Sequence, residues 1–99
     1  MSGLQVACSL MPAELQERRR NVLAKVRCAV SKVTELQNGF VYHFPSDAGI
    51  PELANLIQLE HECCPFLSFR LTVEAGNGSV LLEMTGPGGT KEFLEGVFG

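Results

Sequence analysis

Hydrophobic residues recur along this chain with two different periods, and the changes of period predict its elements. From about residue 12 to residue 29, apolar side chains return every three or four positions, which is the spacing of one helix face. Pro12 suits the first turn of such a helix. A second stretch with this period runs from residue 51 to residue 63. It is expected to end there, because a residue that precedes a proline, here Pro65, disfavours helical backbone.

Elsewhere the pattern alternates, as it does in strands. Asn38-Gly39 is a two-residue hairpin signal between predicted strands over 31–36 and 40–44. A second predicted hairpin, over 66–74 and 79–85, surrounds the turn Gly76-Asn77-Gly78. The residues of its first strand that are predicted to face the core are Leu67, Phe69, Leu71 and Val73.

The elements add up to a single α+β domain over residues 1–99, in the order helix, hairpin, helix, hairpin, helix. The sheet is predicted to be mainly antiparallel, with the helices packed on one of its faces. A short terminal helix carries Phe93, Leu94 and Val97, and residues 5–10 read as a short strand or an extended lead-in. The strand order does not follow from the pattern.

Charge and length narrow the function classes. The formal net charge of -3 argues against general nucleic-acid binding, which requires a basic face. No apolar stretch approaches the roughly 20 residues of a membrane span, and residues 1–10 lack the features of a signal peptide. The expected location is the cytoplasm, where thiols stay reduced. The expected partner is a metal ion or a small molecule.

The most informative motif is Glu60-x-x-Cys63-Cys64-Pro65, at the end of the second predicted helix. Residues three and four apart share a helix face, so Glu60 falls within the apolar stripe and the two thiols follow one turn later. A vicinal thiol pair packs no better than two alanines or valines and is readily oxidised. An inward-facing acid beside two thiols indicates either a functional site or a structural ion pair.

Three functional interpretations follow from this motif. Thiolates bind soft ions such as Zn, Cu(I) or Hg(II), which predicts a metal site formed by Cys63 and Cys64, with Cys8 as third ligand and Glu60 or His61 as fourth. Alternatively, one thiol is a nucleophile, Glu60 transfers the proton and the other thiol resolves the intermediate. In the third interpretation the cysteines are small buried hydrophobic residues of an interaction module.

Other residues have simpler interpretations. Arg19 interrupts the apolar stripe of the first helix, so it is a predicted ion-pair partner for Glu60. Cys28 falls on the solvent side of that helix, and His61 points away from the Glu60 face. The segment from Gly86 to Lys91 lacks the spacing of a phosphate-binding P-loop and reads as a turn with a solvated lysine.

Several segments together resemble a family of small uncharacterised bacterial proteins, and the resemblance spans nearly the whole chain. The segments are Cys8 with Pro12-Ala13-Glu14-Leu15, Glu17-Arg18-Arg19, Gly39-Phe40, Phe44-Pro45, Glu60-x-x-Cys63-Cys64-Pro65-Phe66, Thr85-Gly86-Pro87 and Lys91-Glu92-Phe93-Leu94. The resemblance implies no established activity. It places Cys8, Glu60, Cys63 and Cys64 together as the site. The family usually has Ser or Thr where this chain has Met11, and often Arg where it has His61.

Overall fold

The computed structural model describes residues 12–76 and 78–98, and within these ranges three helices and four strands follow one another in the predicted order. The helices are α1 (Ala13–Ala29), α2 (Ile50–Cys63) and α3 (Thr90–Phe98). The strands are β1 (Lys32–Leu36), β2 (Gly39–Phe44), β3 (Ser68–Val73) and β4 (Val80–Thr85). The predicted α+β class is confirmed. The predicted extended segment 5–10 and Asn77 of the second turn lie outside the described residues.

The four strands form one antiparallel sheet in the order β1-β2-β4-β3. The two hairpins therefore lie side by side, and one strand of each forms the centre of the sheet. This central pairing sets Tyr42 opposite Leu82 and Phe44 opposite Val80. Directly opposite residues of an antiparallel pair lie on the same face, so the pairing of β2 with β4 joins the apolar faces of both hairpins.

One face of the sheet carries the core, and the helices cover it. Buried residues alternate with half-buried ones along β4 and the second half of β2, as expected for strands with one covered face. The helices contribute Val26 from α1, Leu53 and Leu56 from α2, and Leu94 from α3. α1 packs mainly against α2. None of the described helices is both long and apolar enough to cross a membrane.

The first hairpin turns one residue earlier than predicted. The turn residues are Gln37 and Asn38, and Gly39 is already the first residue of β2. Gly39 does not have a positive φ, so the turn does not require glycine for its backbone conformation. A Cβ at Gly39 would instead clash with the backbone oxygen of Met84 and lie 2.8 Å from the Cα of Thr85. Glycine is needed here because β4 passes so close.

The close approach at Gly39 predicts a steric penalty for any side chain. Gly39→Ala should lower the free energy of unfolding by about 1–3 kcal/mol, the usual cost of overpacking, because backbone atoms of β4 cannot move aside as a flexible side chain would. Urea unfolding measures this change. Gly96→Ala is the control: its Cβ would have no neighbour within 4 Å, and alanine in a helix should add roughly 0.5–1 kcal/mol. Equal stability of Gly39→Ala and wild type would contradict the observed strand spacing.

The second hairpin also departs from the prediction. β3 begins at Ser68, so Leu67 lies before the strand, although it is buried as expected. Val73 was predicted to face the core but is 54% exposed. It is the last residue of an edge strand, with a neighbouring strand on one side only. Alternation alone does not show where an edge strand leaves the covered part of a sheet.

Candidate functional site

The candidate site lies at the carboxyl end of α2, where the buried stripe of the helix changes from leucine to acid and thiol. Leu53 and Leu56 are buried, and Glu60 and Cys63 continue the same stripe at helical spacing. The predicted inward position of Glu60 is therefore observed, and its exposure is 0%. A carboxylate that is removed from water needs a charged or hydrogen-bonding partner.

Arg19 of α1 is that partner. Its Nε donates to Oε2 of Glu60 and its Nη2 donates to Oε1 at 3.1 Å, so both carboxylate oxygens accept from one guanidinium. The Arg19 side chain is 20% exposed. The hydrogen bond to Glu60 raises the pKa of Arg19 above its ordinary value, and electrostatic interactions with Glu60, Cys63 and Cys64 act in the same direction against the effect of burial. The predicted ion pair thus joins α1 to α2 directly beside the thiols.

Cys63 and Cys64 follow at the point where the helix ends. Cys63 is the last residue of α2, and the N–H of Cys64 still donates to the carbonyl of Glu60 at 2.6 Å. The carbonyl of Cys64 then accepts from the N–H of Leu67 at 3.1 Å, which fixes the turn through Pro65 into β3. Both cysteines are buried, at 3% and 0% exposure. The backbone therefore holds two adjacent thiols inside the protein.

One of the thiols contacts the ion pair. The Sγ of Cys64 lies 3.9 Å from Oε1 of Glu60, in a geometry in which the thiol donates to the carboxylate. Arg19, Glu60 and Cys64 thus form a continuous polar chain. The Glu-x-x-Cys-Cys spacing placed Glu60 one turn from the thiols, but it did not distinguish which thiol makes this contact.

The other residues considered from the sequence lie away from this chain of contacts. His61 and Cys28 are exposed, as predicted. His43 faces Thr34, with 2.9 Å between its Nε2 and the threonine Oγ1. The prediction that Lys91 is a solvated lysine is wrong, because Lys91 pairs with Glu35. Tertiary pairing of α3 with β1 is not visible in a local pattern.

The described residues bring two thiols together but form no complete metal site. Within residues 12–76 and 78–98, no group of three or more His, Cys, Asp or Glu side chains is arranged to hold a metal ion. Cys8, the predicted third ligand, lies outside the described residues. Chemically, the arrangement offers two buried soft ligands beside a carboxylate whose two oxygens already bind a guanidinium.

Comparison of the chain with protein-family models, with curated proteins and with solved structures finds no significant match. The geometry of the candidate site is therefore the basis for assigning a function.

Proposed function

We propose that this protein binds a soft metal ion through the adjacent thiols of Cys63 and Cys64, with Cys8 as a third ligand. The observation that carries the proposal is the burial of both thiols at a single helix end, beside a charged pair. Apolar residues would fill the same space without the risk of oxidation. Thiolate ligands select soft ions over Mg or Ca.

The length of the chain allows Cys8 to reach the pair. The start of α1 at Ala13 lies five positions after Cys8, and extended backbone can span at most about 17 Å over five positions. Arg19 lies six residues further along α1, or about 9 Å of helix. Because Arg19 contacts the carboxylate beside the thiols, a reach of about 17 Å is compatible with Cys8 as the third ligand.

Glu60 is a weaker ligand candidate than the thiols. Both of its oxygens already accept hydrogen bonds from Arg19, so the guanidinium competes with a metal ion for the lone pairs and the charge of Glu60. Its proposed role is to hold the surroundings of the thiols in place. Neighbours of this kind orient ligands and tune metal affinity in known metal sites.

The proposal includes the reducing cytoplasm as the location, because the thiols must stay reduced to bind a metal ion. On the motif Glu60-x-x-Cys63-Cys64-Pro65-Phe66, we also propose that the chain belongs with the small bacterial proteins that it resembles.

Titration of the purified, reduced protein with Zn(II), Cu(I) and Hg(II), with a count of reactive thiols at each step, tests the proposal. We expect one equivalent to bind and to protect Cys63 and Cys64 from thiol reagents. Cys63→Ser and Cys64→Ser should each lower the affinity at least about tenfold, because an alcohol is a poor ligand for a soft ion.

Cys28→Ser is the matched control, since Cys28 is an exposed cysteine on α1. It should leave the affinity and the stoichiometry unchanged. An equal loss from Cys28→Ser and Cys63→Ser would rule out the proposed ligands. The absence of binding for all three ions would rule out the proposed function.

A thiol-dependent enzyme is the second candidate, and the contact of Cys64 Sγ with Glu60 favours it. In this reading Glu60 accepts the proton of a nucleophilic thiol, and Cys63 resolves the covalent intermediate. A nucleophilic cysteine should react rapidly with iodoacetamide at neutral pH in the metal-free protein. Slow alkylation of both cysteines would count against the enzyme. Slow alkylation together with an absence of metal binding would favour the third interpretation, an interaction module with buried structural cysteines.

A further inference from the structure

Cys63 and Cys64 offer two thiols to one side of a bound atom. The residues are adjacent in the sequence, and their side chains approach to 3.6 Å. Two sulfur atoms bound at about 2.3 Å to one tetrahedral centre lie about 3.8 Å apart, so the pair is already close to the separation that a single bent centre requires. The end of α2 and the turn that closes on Leu67 hold both cysteines in this position. The pair is therefore preorganised to chelate one atom.

Trivalent arsenic with one organic substituent is a centre that two thiols complete. Like the soft metal ions, it prefers sulfur ligands, and a lone pair bends its three bonds to one side. In methylarsonous acid, one of these bonds goes to the methyl carbon, and the other two go to hydroxyl groups that exchange for thiols. Cys63 and Cys64 satisfy such a centre by themselves, so every protein ligand that it requires belongs to the described part of the chain.

The binding reaction is an exchange of ligands without oxidation or reduction. The sulfur of each cysteine forms a bond to arsenic as one arsenic–oxygen bond breaks. Each thiol proton leaves with a released hydroxyl group, so two molecules of water form for each arsenical bound. Arsenic remains trivalent, and both sulfurs remain at the oxidation level of a thiol. The second bond forms within one complex, where the effective concentration of the second thiol is high.

Burial of the pair restricts the substituent that remains on arsenic. Cys63 and Cys64 are 3% and 0% exposed, and they belong to the same buried cluster as Phe66 and Leu67. Protein interiors are close-packed, and extra carbon atoms force their neighbours to move. A phenyl ring on arsenic is much larger than a methyl group. The folded protein should therefore favour the methyl compound.

We infer that Cys63 and Cys64 chelate trivalent arsenicals that carry one small substituent, of the methylarsonous acid class. Two observations carry this inference, namely the close approach of the two side chains and the burial of both. It rests on the proposed function in that the same two thiols act together as soft ligands, and it extends their ligands from metal ions to a metalloid compound.

Intact-mass spectrometry of the reduced full chain tests this inference, with methylarsonous acid and its phenyl counterpart as probes in an excess of a monothiol. We expect one methylarsonous acid per chain, bound with the loss of two waters. The phenyl compound should bind at least about tenfold more weakly to the folded protein, because it overpacks the site. Unfolding in urea should abolish this preference, since adjacent thiols of an unfolded chain are open to both compounds.

Cysteine variants check which thiols form the bonds. Cys63→Ser and Cys64→Ser should each lower the affinity for methylarsonous acid at least about a hundredfold, because only one bond to arsenic remains and the advantage of the intramolecular second bond is lost. Cys28→Ser is the matched control, since Cys28 is exposed on α1, and it should leave the affinity unchanged.

Three results would overturn the inference while leaving metal binding intact. They are an absence of binding by the folded protein, an adduct that has lost only one water, and equal affinity of the folded protein for the two arsenicals. Binding of methylarsonous acid without binding of Zn(II), Cu(I) or Hg(II) would support the inference and reject metal binding as the function. All of these measurements use the wild-type protein, so none depends on the folding of a variant.

Discussion

Arg19→Met is expected to lower the free energy of unfolding by about 3–5 kcal/mol. The variant keeps an unbranched side chain of similar length but leaves the carboxylate of Glu60 buried without a positive partner. The cost comes from this uncompensated charge and not from the net value of the ion pair. Because a domain of this size has a total stability of roughly 5–15 kcal/mol, urea unfolding at neutral pH should detect the loss readily.

A double variant separates the cost of the uncompensated charge from the net contribution of the ion pair to stability. Arg19→Met combined with Glu60→Leu removes both charges, and replacing a buried pair by apolar residues is often neutral or stabilising. We expect the double variant to recover most of the stability lost in Arg19→Met. Such non-additivity is the signature of direct contact between two residues.

The control is a second ion pair between the same two helices. Lys25 of α1 and Glu52 of α2 approach to 3.9 Å at the surface, with side-chain exposures of 74% and 55%. Lys25→Met should cost less than about 1 kcal/mol, because water screens an exposed pair. Similar losses from Lys25→Met and Arg19→Met would show that burial of Glu60 has no energetic consequence.

Leu56→Ala is expected to destabilise the protein by about 2–5 kcal/mol. Leu56 is 0% exposed and packs in the core one turn before Glu60, so the truncation leaves a cavity under the helix that carries the thiols. For a domain of about 100 residues, 1 kcal/mol corresponds to roughly 4–8 °C in Tm. Calorimetry should therefore record a decrease of about 8 °C or more.

Ile50→Ala provides the comparison on the same helix. Ile50 is 41% exposed at the start of α2, so a large part of its side chain already contacts water. Its truncation should cost less than half as much as that of Leu56. If both variants lowered Tm equally, the helix would owe its stability to local propensity instead of to its contact with the sheet.

The local elements were predictable because their physical causes are local. The periods of the apolar residues located α1, α2 and both hairpins, and Pro65 correctly limited the end of α2. The turn at Gln37 and Asn38 was displaced by one residue, because the role of Gly39 depends on β4, far away in the sequence. A glycine that is required for space looks the same in sequence as a glycine that is required for a turn.

The candidate site also has features that the sequence predicts and features that only the tertiary structure shows. The helical spacing alone placed Glu60 inward and next to the thiols, and the polar interruption at Arg19 indicated its partner. The sequence could not show that both oxygens of Glu60 are occupied, or that Cys64 is the thiol that contacts the carboxylate. These facts depend on how α1 lies across α2.

The sequence by itself determined the elements, the inward face of α2 and the adjacency of two thiols, since each follows from spacing along a helix or a strand. Only the tertiary structure decided the strand order β1-β2-β4-β3, the exposure of Val73 and the pairing of Lys91 with Glu35. These features join residues that are distant along the chain. Their free energies depend on packing between elements, which no local pattern of residues encodes.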